Sequence, residues 1–470
     1  MKDKEDIDRE SELELFHDNN DRQVLLHSTD TYTRGRFQKK LGFVPSCFLI
    51  VSLFFFYGLF DGYIDAVHLI LQSQSASYFQ LYIFSLAKYP DLLKFMIAPV
   101  IDIFYIKAFG KSKTYLVISG LIVAAISLLA SRYIDELVSQ NRVGAVTSIL
   151  IAINCYRVFY YIAATIWIVT LFTGEEEKTR GSLIKPIGEE VGKLIITGMF
   201  IPLNSVTWLN QYVYTQENAI SEPWVTHKHV FLFSGISILV LVCLVTFFVA
   251  EKRIKSENQV SLRLALRFVP RMLKNRNLLM LTGFFLAFES LHYLVTELVT
   301  YKILQAGFPK ESAAIAETLT IFSSLVAGLV YQRYLKFGYL ITAAHYMAVA
   351  WLVCVAGKYF LGMKLEQEPE WSGAFWLYLI FKSGTKFATP LICFVAYLIQ
   401  VVDLSVSSTI IGIMVTICQF GHLIPKSISL LLAKYIDANY IIITCMILHF
   451  IALIVLYKVA RYLDLLKPSE

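Results

Sequence analysis

Residues 47–60 read CFLIVSLFFFYGLF and residues 237–250 read SILVLVCLVTFFVA, and neither stretch contains a charged side chain. A membrane helix needs about 20 mostly apolar residues to cross a hydrocarbon core of about 30 Å. Because lipid offers no partners to backbone polar groups, each such run must satisfy its own hydrogen bonds as a helix. These two stretches, and others like them along the chain, therefore predict an all-α membrane protein.

The composition of the whole chain agrees with this fold class. Of its 470 residues, 56% are hydrophobic, whereas soluble globular proteins average about 45–50%. The hydropathy pattern predicts about twelve transmembrane helices. They are Gly42–Leu71, Tyr78–Ile101, Thr114–Arg132, Val143–Thr173, Ser182–Asn204, Val230–Ala250, Leu278–Leu304, Ser312–Tyr334, Tyr339–Leu361, Phe375–Ile399, Thr409–Tyr435 and Tyr440–Tyr462.

The basic residues are distributed unevenly between the connecting segments. They cluster before the first predicted helix, after the second, after the sixth and after the twelfth. Because positively charged loops remain in the cytoplasm, both termini and the long central loop are predicted to be cytoplasmic. The net charge of +6 follows from this bias, so no nucleic-acid partner is needed to explain it.

A repeated pattern divides the chain into two parts. Ala98–Lys107 (APVIDIFYIK) ends the second predicted helix, and Ala327–Lys336 (AGLVYQRYLK) ends the eighth, about half a chain length later. Two six-helix halves in the same orientation are the parallel repeat of the major facilitator architecture. The predicted domains are a disordered cytosolic tail (1–41), a first half (42–250), a basic linker (251–277), a second half (278–462) and a cytosolic tail (463–470).

The loop after the second predicted helix resembles the loop signature of major facilitators, in which an acid at the helix end is followed by Gly and basic residues. Asp102 supplies the acid, Gly110 permits a tight turn, and Lys111 and Lys113 hold the loop at the cytoplasmic surface. We interpret this segment as a gating loop.

The chain also resembles one transporter family more specifically, in segments spread along most of its length. They are Leu69–Tyr78 (LILQSQSASY), Tyr89-Pro90, Leu93-Lys94, Ala98-Pro99, Asp102, Phe109-Gly110, Gly307–Glu311, Asp403, Thr409, Phe420-Gly421 and Pro425–Ser427. The resemblance is to the acetyl-coenzyme A transporter family, solute carrier family 33; bacterial muropeptide permeases are a more distant look-alike. The match departs from the family in the fourth helix, where Tyr161–Trp167 keeps the tryptophan but lacks the family's pair of aspartates.

The resemblance implies a transporter that moves an anionic small molecule, in first place acetyl-coenzyme A, by alternating access. It also implies the endoplasmic reticulum or a related endomembrane; an endolysosomal or plasma-membrane location is the alternative. A permease for another amphiphilic solute remains a second interpretation. The partners expected are this substrate and the lipid bilayer, and no cofactor is expected.

Acidic residues and histidines lie inside two predicted helices that correspond under the repeat. A charge at mid-bilayer costs about 2.5–3.5 kcal/mol, so such residues usually face a cavity or a partner. We interpret these residues either as a coupling or cavity surface or as structural pairs between the halves. They are Asp61, Asp65 and His68 in the first helix and Glu289, His292 and Glu297 in the seventh.

Intramembrane cations point to the binding of an anion. Arg157 lies midway along the fourth predicted helix, and Lys382 and Lys386 lie in the tenth. Arg can grip a phosphate with two parallel hydrogen bonds, and Tyr161 and Trp167 could pack against an adenine ring. The alternative is that Arg157 pairs with an acid such as Glu190, and that the two lysines snorkel or pair with Glu289.

No motif typical of an enzyme is visible. The sequence has no phosphate-cradling Gly-Lys-Thr/Ser loop, no clear metal-ligand pattern and no nucleophile elbow. We therefore expect a transporter and not an enzyme. A membrane-embedded acyltransferase using His68 or His292 is the less favoured alternative.

The charge bias makes a topological prediction. In a cysteine-free variant, single cysteines at positions 274 and 368 should react with an impermeant reagent from opposite sides of sealed vesicles. Labelling of both positions from the same side would contradict the predicted topology.

Overall fold

The computed structural model describes residues 43–74, 76–106, 109–171, 175–214, 218–249, 276–334, 340–367, 373–387 and 407–465. The predicted tail 1–41, residues 251–275 of the predicted linker and residues 466–470 lie outside these ranges, and so do the side chains of Asp102 and Lys386. Within the described ranges, regular secondary structure is almost entirely helical.

The long helices are labelled α1 to α12 here. They are α1 Phe43–Ser73, α2 in three segments (Tyr78–Ser85, Leu86–Leu93 and Lys94–Ile103), α3 Lys111–Ala130, α4 Val143–Leu171, α5 Glu175–Ile195, α6 His227–Phe248, α7 Arg276–Gln305, α8 Lys310–Tyr334, α9 Leu340–Gln367, α10 Ala374–Phe387, α11 Ser407–Leu432 and α12 Ala438–Leu465.

Six of these helices are long and apolar enough to cross a membrane within the described part of the chain. They lie in α1, α3, α4, α6, α9 and α12. The predicted all-α membrane fold is therefore confirmed. The count of about twelve crossings and the domain boundaries stay predictions.

Glycines bring α1 and α5 into close backbone contact. Gly58 and Gly62 of α1 face the backbone of α5, and Gly188 and Gly192 of α5 face that of α1. A Cβ atom at Gly188 would lie 2.6 Å from the carbonyl oxygen of Val51. Small residues at four-residue spacing permit such approach between membrane helices, so the acidic and basic residues of α5 are held close to those of α1.

The middle of α2 is a 3-10 helix and not the continuous α-helix that the sequence predicts. Pro90 lies inside this segment, Leu86–Leu93. Proline has no backbone N–H and disrupts the hydrogen bonding of an α-helix. Pro90 therefore explains why this segment winds more tightly, as a 3-10 helix. The segment and the residue that follows it bury three charged side chains, Lys88, Asp91 and Lys94.

The start of α3 is fixed to the end of α6. Gly110, which precedes α3, has φ 96°, a conformation that favours glycine. The Nζ atom of Lys113 donates hydrogen bonds to the carbonyl oxygens of Thr246 at 2.8 Å and Val249 at 2.9 Å. A cation at this position satisfies carbonyl groups that a helix end leaves without partners, so Lys113 ties the predicted gating loop to α6.

The contact between α1 and α5 predicts a stability difference between two glycine substitutions. Gly188→Val should lower the free energy of unfolding by about 1–3 kcal/mol, because the added atoms overlap the α1 backbone. Gly144→Val is the matched control, since no atom lies within 4 Å of a Cβ there. Thermal unfolding in detergent would measure both; equal melting temperatures would contradict the packing.

Candidate functional site

Asp61 of α1 lies at the centre of a buried charge cluster. Its carboxylate contacts Lys193 of α5 at 2.7 Å, Lys88 of α2 at 3.1 Å and Arg157 of α4 at 3.6 Å. Lys88 also contacts Asp65 of α1 at 2.7 Å. One carboxylate thus compensates cations from three other helices.

Arg157 has a second acidic neighbour, Asp91 of α2. The guanidinium lies 3.4 Å from Asp91 and donates a hydrogen bond of 3.2 Å to the carbonyl oxygen of Tyr57. Its Cζ atom lies 4.3 Å from the centroid of the Tyr57 ring. Arg157 is 2% exposed, so these partners replace water. The sequence analysis named Glu190 as an example of an acidic partner; the observed partners are Asp91 and Asp61.

Asp91 and Lys94 extend the cluster along α2. They pair at 3.0 Å, and the hydroxyl of Tyr57 donates to Asp91 at 3.3 Å. Neither Asp91 nor Lys88 is among the site residues predicted from the sequence. The available signal was the three-residue spacing of Lys88, Asp91 and Lys94 in an otherwise apolar helix, which places them on one face.

Tyr161 of α4 forms an aromatic wall of the cluster. The ammonium groups of Lys94 and Lys185 lie 4.2 Å and 4.1 Å from its ring centroid. Lys185 also donates a 2.6 Å hydrogen bond to the Tyr161 hydroxyl. Trp167 is 1% exposed and packs in the hydrophobic core. Tyr161 therefore lies beside the cations, whereas Trp167 is covered by apolar neighbours.

The cluster is defined here as the N-half cation cluster and combines cations and acids of four helices. Glu189 and Glu190 of α5 lie where their charges act on Lys193, and the Oε1 atom of Glu189 has no hydrogen-bond partner among the described residues. The cations are Lys88, Lys94, Arg157, Lys185 and Lys193, and the acids are Asp61, Asp65, Asp91, Glu189 and Glu190.

Glu297 of α7 connects the second group of helices, α7–α12, to the first group, α1–α6. One carboxylate oxygen contacts the Nε2 atom of His68 and accepts a 2.7 Å hydrogen bond from Gln72. The other contacts Lys426 of α11 at 3.0 Å. The hydroxyls of Ser85 in α2 and Ser427 in α11 add a 2.7 Å hydrogen bond nearby. His68 and Glu297 therefore meet across the two groups of helices; this set is called the inter-half bridge below.

Lys111 of the predicted gating loop is the first residue of α3, and the remaining predicted residues lie in the second group of helices. Lys382 of α10 pairs with Glu317 of α8 at 2.6 Å, a partner that the sequence analysis did not name. The ring of His292 stacks on Trp351 of α9 with centroids 3.8 Å apart. Glu289 is buried one turn before His292 on α7.

The compensation around Asp61 predicts a large and partly reversible loss of stability. Asp61→Asn leaves buried cations uncompensated and should cost about 3–5 kcal/mol. Combining it with Lys193→Met should recover part of this loss, because one unpaired charge is then removed. Thermal unfolding of the two single variants and the double variant would test this, with the exposed Glu222→Gln as control. Additive losses would contradict a shared contact.

Part of the chain is similar in sequence to known proteins. Residues 46–263 match the protein family described as acetyl-coenzyme A transporter 1. An uncharacterised membrane protein of Saccharomyces cerevisiae is 24% identical over 229 residues, which cover 44% of this chain and 40% of that protein. An uncharacterised protein of Schizosaccharomyces pombe is 36% identical over 67 residues, or 14% of this chain and 13% of that protein. The matches thus span less than half the length of either relative.

Solved structures match over a larger part of the chain. A bacterial homologue of the human lysosomal transporter Spinster, in an inward-facing and unoccupied conformation, has a TM-score of 0.58 at 13% identity, covering 91% of this chain and 99% of that one. The major facilitator superfamily transporter FucP, in the outward conformation, gives 0.53 at 16% identity, covering 91% and 100%. These likenesses concern the fold alone. The resemblance seen in the sequence is confirmed by the family match over residues 46–263, and the chain has the fold of the major facilitator transporters.

Proposed function

We propose that this protein is a secondary transporter that carries an anionic metabolite across an endomembrane by alternating access, with acetyl-coenzyme A as the first candidate substrate. The family match and the major facilitator fold support a membrane transporter. The observation that carries the choice of an anion is the N-half cation cluster, in which buried cations of α2 and α4 meet a partly buried cation of α5.

The chemistry of the cluster suits a phosphorylated ligand. Coenzyme A esters carry several negative charges on phosphate groups. Arg157 offers a planar guanidinium that can bind phosphate oxygens in pairs, and lysines such as Lys88 and Lys193 act as point charges. Tyr161, which already contacts two ammonium groups, offers an aromatic face beside them.

In this structure, the cations of the cluster form ion pairs with carboxylates. Asp61 and Asp91 contact Arg157, and Asp61 also contacts Lys193. An incoming phosphate would compete with these carboxylates for the same hydrogen-bond donors. The exchange keeps each cation paired with an anion throughout, which avoids the cost of an uncompensated charge inside the membrane.

Alternating access requires that the ligand favour one arrangement of the helices over another. A ligand shifts such an equilibrium only through contacts that differ between the two states. The inter-half bridge contains a contact that must break when α1 and α7 separate, because His68 and Gln72 of α1 hold Glu297 of α7. Substrate binding at the cations around Asp61, which lies seven residues before His68 on α1, would bias that separation.

The test is uptake of labelled acetyl-coenzyme A into proteoliposomes, with free coenzyme A and unrelated anions as competitors. Arg157→Lys should raise KM about tenfold, because a point charge replaces the paired donors. Arg157→Gln should impair uptake further, and so should Lys386→Gln, whose side chain lies outside the described residues. The exposed Arg142→Gln is the matched control and should leave uptake unchanged.

Folding and transport are separated by measuring both. Size-exclusion chromatography and thermal unfolding identify variants that fail to fold, and Arg157→Lys keeps the charge that Asp91 and Asp61 require. Unchanged KM in folded Arg157→Gln and Lys386→Gln would rule out the phosphate-binding role. Wild-type protein that takes up no acetyl-coenzyme A would rule out this substrate.

A further inference from the structure

A series of stacked aromatic rings lies in the second group of helices. The rings of Tyr293 on α7 and His422 on α11 stack with centroids 3.9 Å apart and an interplanar angle of 30°; they are called the ring pair below. His292 meets Tyr293 edge-on at 5.1 Å and stacks on Trp351 of α9 at 3.8 Å. Trp351 and His292 are buried, whereas both members of the ring pair are half-buried. The series therefore begins in the core and ends at rings that keep part of their surface exposed.

Polar contacts hold this series in place from its buried end. The Nε1 atom of Trp351 donates a 2.6 Å hydrogen bond to the carbonyl oxygen of Thr385 in α10. The Nε2 atom of His292 lies 3.2 Å from the hydroxyl of Thr296 on its own helix. Tyr293 thus packs against side chains whose orientation is already set. A preformed surface of this kind binds a ligand without the entropic cost of ordering its side chains.

Charged side chains of both groups of helices surround the ring pair. The charge of Lys193, a member of the N-half cation cluster, acts on Tyr293, and so does that of Lys382 in α10. A flat aromatic surface therefore lies near cations that can bind phosphate. A nucleotide joins the two complementary parts, a flat base and phosphate groups. The other charged groups that act on one or both rings are Lys88, Lys426, Asp61, Asp65 and Glu289.

A cavity lies between the two groups of helices. Asp65, Lys88 and Lys426 are among the residues that line it, and so is Leu423, which directly follows His422 on α11. His422 also precedes Lys426 by four residues, which places the two side chains on the same face of the helix. A ligand that binds the cations of this cavity would therefore lie near the ring pair.

The two rings expected from the sequence to pack against an adenine base have other neighbours. Tyr161 contacts the ammonium groups of Lys94 and Lys185. Trp167 is 1% exposed. Tyr161 therefore belongs with the phosphate-binding cations and Trp167 with the hydrophobic core. A base needs another aromatic surface, and the half-buried ring pair offers one.

We propose that the ring pair binds a purine base, so that the substrate is a nucleotide whose phosphate groups bind the N-half cation cluster. This inference rests on the proposed transport function and adds to it a site for the base. The purine stacks on the exposed part of Tyr293 and His422, because aromatic side chains and bases attract one another through their ring faces. The base thus distinguishes a nucleotide from sugar phosphates and other anions of similar charge.

The test compares two anions that differ only in the base. Adenosine 3′,5′-bisphosphate and the base-free 1-deoxyribose 3,5-bisphosphate carry the same phosphate groups. Each is titrated into the purified protein in detergent by isothermal titration calorimetry. The adenosine compound should bind about tenfold tighter, because only it can stack on the ring pair. Equal affinities, or no binding of either anion, would overturn the proposal.

Variants of the ring pair test which side chains produce the preference for the base. Tyr293→Leu and His422→Leu should each reduce it to about twofold or less, whereas Tyr293→Phe and His422→Phe keep a ring and should retain it. Tyr440→Leu replaces an exposed tyrosine of α12 and is the matched control. A wild-type preference in both folded leucine variants, or an equal loss in Tyr440→Leu, would contradict the assignment.

A measurement on the wild-type protein keeps the test decisive where a leucine variant does not fold. The photoreactive 8-azidoadenosine 3′,5′-bisphosphate should label peptides of α7 or α11 that contain Tyr293 or His422, as identified by mass spectrometry. The adenosine compound should prevent this labelling at about tenfold lower concentration than the base-free anion. Labelling confined to other helices would overturn the base site.

Uptake into proteoliposomes separates this proposal from the proposed function. Wild-type protein that takes up no acetyl-coenzyme A, although it binds the adenosine compound more tightly, would overturn only the proposed substrate. Uptake of acetyl-coenzyme A with a wild-type KM in both Tyr293→Leu and His422→Leu would overturn the base site and leave the transport function intact.

Discussion

The contacts of Asp61 with Lys88, Arg157 and Lys193 are the constraint on which the arrangement of the first group of helices depends. A charge inside the hydrocarbon region is costly without a partner, so helices that carry such charges must meet at their charged faces. Buried ion pairs add little net stability, because desolvation offsets their attraction. The network therefore selects how α1, α2, α4 and α5 face one another, while close packing supplies the cohesion.

Two local features of the backbone allow these charged side chains to come into contact. Glycines in α1 and α5 allow the backbones to approach, which brings Lys193 within 2.7 Å of Asp61. The 3-10 segment around Pro90 winds α2 more tightly, and Lys88, Asp91 and Lys94 are buried there. Residues without charged side chains thus decide where the charged ones lie, since a side chain can reach only as far as the backbone permits.

Helix α7 carries two carboxyl side chains whose surroundings differ. At Glu297, α7 forms a fully partnered contact with His68, Gln72 and Lys426. At Glu289, two turns earlier, its carboxyl oxygen Oε1 has no hydrogen-bond partner in the described part of the chain. A partnered carboxylate can hold two elements together, whereas burial of an unpartnered one in its ionised form is costly.

The sequence by itself determined the all-α membrane fold, because uncharged runs long enough to cross a bilayer have no alternative to helices. It also identified Asp61, Arg157, His68 and Glu297 as residues that need a cavity or a partner, since charged groups are costly in such runs. Only the tertiary structure decided which partners they have: Asp91 for Arg157 and Glu297 for His68. Helical periodicity fixes which residues are neighbours three and four positions apart. Contacts between helices depend instead on how the helices cross. The glycines of α1 and α5 and Pro90 of α2 determine that crossing, because they control how closely the backbones approach and how tightly α2 winds.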